Sequence, residues 1–127
     1  MASFVGKPIV DLRHDGGGLF TLTVTYVAQF THDELLIKQE FAESMALFES
    51  DSGEIFGGGD DHYFNVPVRT FKPHFVQERR AFLIGPINGA QLDSEPGGEE
   101  VYAQVHFRPS HEKVSMTRNS DTFSLAV

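Results

Sequence analysis

The residues most able to do chemistry are concentrated in one acidic stretch. Between Gln39 and Val68 there is no Lys or Arg, while Glu40, Glu43, Glu49, Asp51, Glu54, Asp60 and Asp61 supply seven carboxylates. Its inner part surrounds Gly57-Gly58-Gly59. Carboxylate oxygens are the hard ligands that Ca²⁺ takes, and glycines let a backbone bend around an ion. Asp51, Glu54, Asp60 and Asp61 are therefore the candidate metal ligands, although their spacing fits no EF-hand loop. The plainer reading is a solvated acidic loop tip. The glycine run is not followed by Lys-Ser or Lys-Thr, and the adjacent aspartates repel anions, so nucleotide binding is not expected.

Histidines 14, 32, 62, 74, 106 and 111 are scattered, with no spacing that sets two imidazoles on one strand face. His62, beside Asp60 and Asp61, is the best placed for ligation or base work. No Gly-x-Ser-x-Gly elbow appears. Asp93, Glu95, Glu99 and Glu100 could in principle pair as in glycoside hydrolysis, which leaves a small hydrolase as the weakest of three functional readings. A binding surface has better material. Aromatic faces stack on sugar rings while amides take the hydroxyls, which makes Tyr63, Asn65, Tyr102 and Gln104 the candidate ligand-binding residues, with Phe71 and Phe75 as further rings.

These residues sit in a chain of 127 residues, the usual length of one domain, 1–127, with 40% hydrophobic and 22% charged residues. Twelve Phe, three Tyr and no Trp make rings a large share of the core volume. No Cys is present, so disulfides and thiolate metal sites do not arise. The net charge of −8 opposes nucleic acid and anionic membrane as partners. Six histidines, each adding one positive charge when protonated, would bring −8 to −2. No signal-like segment is visible, so the cytoplasm is the default compartment, although a secreted mature chain would read the same.

The elements that must position these groups read as strands. From Leu19 to Phe30, Phe20, Leu22, Val24, Tyr26, Ala28 and Phe30 alternate with mostly Thr, which is the period of a half-buried strand. Gly16-Gly17-Gly18 supplies the turn from an earlier strand near 8–13. Strands are also expected around Phe64 to Val68, Val76 to Ile84, Val101 to Phe107 and Phe123 to Val127. Over 31–50, Thr31-His32-Asp33-Glu34 reads as a capping box and favours a helix. The shared parity of Leu35, Ile37, Phe41, Met45 and Leu47 favours a strand that returns as a hairpin on the preceding one, and this is the expectation adopted. Adjacent residues on a strand face opposite sides, so either Arg79 or Arg80 must point inward and needs a buried acceptor or an edge position.

Together these features predict an all-β domain, a single antiparallel β-sandwich of about seven or eight strands. Strand number and turn spacing resemble an immunoglobulin-like or related Greek-key sandwich, without the Cys and Trp of antibody domains. The expected function is a non-catalytic binding or assembly module, with a calcium-assisted, lectin-like carbohydrate-binding module as the alternative. The partner is then a protein, a carbohydrate, or a second copy in a homo-oligomer joined at a sheet edge, where the acidic stretch would complement Arg79-Arg80.

Overall fold

A computed structural model describes residues 1–49, 62–88 and 99–125. Its described elements are β1 (Ser3–Phe4), β2 (Ile9–Gly16), β3 (Leu19–Gln29), α1 (His32–Leu36), β4 (Phe41–Glu49), β5 (His62–Phe71), β6 (Gln77–Asn88), β7 (Glu99–Pro109), β8 (Met116–Asn119) and β9 (Phe123–Leu125). The described residues are predominantly β, arranged in two antiparallel sheets with one short helix. In the first sheet β3 is central, flanked by β6 on one side and by β1 and β2 on the other. In the second, β4 lies between β5 and β7, and β7 carries β8 and β9 on its far side.

The alternation in β3 works as expected. Leu22, Val24, Tyr26 and Ala28 are buried against Met45 and Leu47 of β4 and Val101, Ala103, Val105 and Phe107 of β7, in one continuous core. Phe82 and Ile84 of β6 complete it. Burying each of the larger of these side chains contributes roughly 1.5–3 kcal/mol, so the register is strongly specified: a one-residue slip would turn every core residue outward. Gly16, Gly17 and Gly18 all have positive φ, at 87°, 62° and 77°, which is what a tight turn between β2 and β3 requires.

Segment 31–50 divides between the two readings. Thr31 caps a single helical turn: its Oγ1 accepts from the Glu34 N–H at 3.1 Å, and the Glu34 carboxylate accepts from the Thr31 N–H at 2.8 Å. The helix stops in a Schellman arrangement, with Gln39 N–H donating to Glu34 O and Lys38 N–H to Leu35 O while Lys38 holds φ 54°. The strand then starts at Phe41. It does not return as a hairpin on β3, because the helical turn carries the chain across to the other sheet, where β4 pairs with β5 and β7. Ile37 accordingly points to solvent, while Phe41, Met45 and Leu47 face inward.

β6 runs further than the sequence suggests, through Gly85-Pro86 to Asn88. An extra residue is accommodated there opposite Phe20–Leu22. Gly85 has φ 141°, and a Cβ on it would lie 2.8 Å from Phe20 O and 2.9 Å from Thr21 Cα, so this bulge depends on glycine.

Candidate functional site

The pleat gives the second sheet an outer face built from the even-numbered residues of β4 and β7. Antiparallel pairing aligns them in rows across the strands. Ala46 lies opposite Asn65 and Gln104, and Gln104 lies opposite Asn119. Ser44 lies opposite His106, and His106 opposite Thr117. Phe48 lies opposite Tyr102. The centre line, Ala42, Ser44 and Ala46, is small, and both alanines are buried.

Cross-strand hydrogen bonds fix the polar groups of this face. Gln104 Nε2 donates to Asn119 Oδ1 at 3.0 Å, which leaves Gln104 Oε1 as an acceptor and the Asn119 amide as a donor. His106 Nδ1 lies 2.9 Å from Thr117 Oγ1. Burial pushes the His106 imidazole below its ordinary pKa, so it is neutral at pH 7. Phe48 and Tyr102 stack with ring centroids 5.5 Å apart and planes inclined by 17°. The centre of the face thus offers uncharged donors and acceptors held in a fixed frame.

Three of the four candidate ligand residues, Asn65, Tyr102 and Gln104, occupy this one face. Tyr63 belongs to β5, but its side chain lies outside the described residues. Phe71 and Phe75 do not join them. Phe71 packs against the core and under Arg80, and Phe75 is exposed on the connection between β5 and β6. The metal candidates Asp51, Glu54, Asp60 and Asp61 lie outside the described residues, as do Asp93 and Glu95. Among the described residues no group of three metal-ligating side chains converges.

The acidic stretch is not uniformly solvated, which corrects that part of the sequence reading. Glu49 is buried at the end of β4, and the Glu43 side chain is 0% exposed. Glu43 sits on the inner face of β4 and receives four hydrogen bonds. Tyr26 OH donates to Oε1 at 2.5 Å and Arg69 Nε to Oε2 at 2.6 Å. Arg80 contributes Nε to Oε1 at 3.1 Å and Nη2 to Oε2 at 2.6 Å. Each guanidinium also covers a ring of the opposite sheet: Arg80 lies 3.9 Å from the Phe71 centroid and Arg69 4.3 Å from that of Phe82. Arg69 further donates to Ala81 O, which joins β5 to β6 directly.

Burial alone would push the Glu43 carboxyl up. The donated hydrogen bonds of Arg80, Tyr26 and Arg69 outweigh it and hold the group below the usual carboxylate range. Tyr26 is pushed far up by its own burial and by the adjacent carboxylate, so its hydroxyl stays a donor. A carboxylate sealed from solvent and fully engaged has no route to a substrate. The cluster is an internal tie between sheets, and it supplies the buried acceptor that one of Arg79 and Arg80 was expected to need; Arg80 is the one that takes it.

Sequence reasoning found half of this cluster. The missing half was the parity of Glu43, which places it between Phe41 and Met45 on the inward face; counted only as a charge, it looked solvated.

Comparison with protein-family models, with curated proteins and with solved structures finds no match.

Proposed function

We propose that the protein is a non-catalytic binding module whose ligand surface is the outer face of the second sheet, and that its ligand is a neutral carbohydrate. The observation that supports this is the Gln104–Asn119 pair beside His106–Thr117. Its uncharged groups are held in place by one another and keep spare donors and acceptors, the chemistry that reads sugar hydroxyls. Preorganised side chains lose little further entropy on binding. The Phe48–Tyr102 stack ends the same face with aromatic surface. A calcium ion held by Asp51, Glu54, Asp60 and Asp61 is part of this proposal and enters as a stabiliser of the domain. Self-association through a sheet edge would have to draw on Arg79, since Arg80 is committed to Glu43.

The test is a screen of the intact protein against an array of neutral and acidic oligosaccharides and a library of random peptides. It is repeated with Ser44→Arg, which plants a long charged chain in the middle of the face, and with Leu83→Arg on the outer face of the first sheet. The proposal expects neutral oligosaccharides to bind, with binding abolished by Ser44→Arg and kept by Leu83→Arg. Binding that ignores Ser44→Arg, or the absence of any oligosaccharide ligand, would overturn it.

A further inference from the structure

The end of the sandwich that carries α1 is built differently from the polar face. Leu36, Ile37, Phe75 and Val114 lie on its connections and are between 69% and 81% exposed. Three chain segments meet there. The first is the α1 turn, running from β3 to β4, and the second is 72–76, running from β5 to β6. The third is 110–115, which is tied to the first by Ser110 N–H donating to Glu40 O at 2.9 Å and by Gln39 Nε2 lying 3.3 Å from His111 Nδ1. Large apolar side chains exposed at one end of a domain are candidate material for an interaction surface.

A cleft of about 290 Å³ opens between the first two segments, lined by Leu35, Lys38, Lys72, Pro73 and His74. Its lining thus combines apolar Leu35 and Pro73 with the cationic side chains of Lys38 and Lys72. Lys38 and Lys72 make no ion pair among the described residues. The nearby carboxylates are occupied or on the helix itself: Glu34 closes the capping box, Glu78 accepts from His74 N–H at 2.8 Å, and Asp33 lies in the first turn of α1. Hydrogen bonds frame both segments that flank the cleft. The capping box and the Schellman turn fix Leu36 to Lys38 from both sides, and Phe30 N–H donates to Val76 O at 2.6 Å beside Phe75.

We propose that this end is a docking site for a second protein, and that the segment it takes is a short acidic peptide with one large apolar anchor. The anchor enters the cleft over Leu35 and Pro73, acidic side chains flank it to meet Lys38 and Lys72, and Leu36 and Phe75 cover the peptide's remaining apolar surface. Cationic rims of this kind select by charge, because a basic flank would meet two lysines at close range. The site is separate from the outer face of the second sheet and needs no sugar.

The experiment uses the whole protein and an immobilised array of twelve-residue peptides. Each carries one central Phe, Leu or Ile with flanks of Asp and Glu, of Lys and Arg, or of Ser and Gly. Vesicles of phosphatidylcholine with one quarter phosphatidylserine form a further arm. Acidic-flanked peptides should bind best, with affinity falling as salt rises. Lys38→Glu with Lys72→Glu should weaken them about tenfold or more, the loss of one charge-assisted contact or better. Leu36→Ser with Phe75→Ser should weaken them too, and both pairs, lying on exposed connections, should melt within a few degrees of the parent. The proposal is overturned if basic or neutral flanks bind equally well, if the charge-reversed variant binds unchanged, or if the vesicles bind and the peptides do not.

Discussion

Substituting Arg80 by Met tests the claim that the Glu43 cluster ties the two sheets together. Met keeps most of the apolar stem over Phe71 and removes two of the four hydrogen bonds to Glu43, leaving those of Arg69 and Tyr26. Stripping one partner from a buried ion pair costs about 3–5 kcal/mol, because the remaining charge has no water to turn to. Arg69 still pairs with Glu43, which places the expected loss near 3 kcal/mol. Glu43→Gln should cost less, about 2 kcal/mol, because the side chains of Arg80 and Arg69, 26% and 43% exposed, can recover water. A 127-residue domain shifts by about 3–5 °C per kcal/mol, so Arg80→Met should melt about 10–15 °C lower.

The pH dependence separates charge from packing. The Glu43 carboxyl is held below its ordinary range in the folded state. Its contribution is therefore complete above the unfolded carboxyl pKa and is lost as pH falls through the lower folded value. Urea unfolding at pH 7 and at about pH 3 gives the comparison. The gap in stability between the parent and Glu43→Gln should narrow at the lower pH. An Arg80→Met protein within about 0.5 kcal/mol of the parent at pH 7, the range of a neutral surface change, would refute the reasoning, as would a Glu43→Gln gap that does not change with pH.

Gly85→Ala should destabilise by about 2 kcal/mol or more, since its Cβ meets backbone rather than a movable side chain, at a φ that alanine rarely adopts; urea unfolding measures it. The imidazole of His106 should titrate below a histidine in an unfolded peptide, read from its ring proton by NMR, because burial opposes the charged form. If Asp51, Glu54, Asp60 and Asp61 hold Ca²⁺, ten times the dissociation constant should raise the melting temperature by about 4–7 °C, from RT ln(11) or about 1.4 kcal/mol. Melts in chelator, in calcium and in matched sodium chloride check this, and Asp60→Asn with Asp61→Asn should abolish the shift.

How much of this was legible in the sequence depends on how local the cause was. The strands β3 and β7 were legible because a period of two runs from Leu22 to Ala28 in β3 and from Val101 to Phe107 in β7. The capping box at Thr31 was equally local, and it forms. What the box could not reveal was that its turn would carry β4 into the other sheet, because the choice of partner strand is settled by core packing far along the chain. Strand β5 shows the same limit: Val66 faces inward as its alternation suggests, yet Val68 is exposed, because an irregularity between Val66 and Arg69 changes the phase. The face bearing Asn65, Tyr102 and Gln104 was nominated by residue type alone. Its rows depend on the registers of β4 with β5 and β7, and Asn119 and Thr117 entered only once β8 was seen beside β7. Exposed apolar residues at the α1 end had no sequence signal, since Ile37 shares the parity of the core residues after it.

Ligand binding at the outer face of the second sheet can be followed residue by residue through backbone amide shifts as the protein is titrated with a neutral hexasaccharide such as cellohexaose or mannohexaose. Binding there should give saturable shifts centred on Ser44, Gln104, His106, Thr117 and Asn119, with Thr23, Thr25 and Leu83 on the outer face of the first sheet unmoved. Shifts centred on the first sheet, or no saturable shift with either sugar, would contradict it.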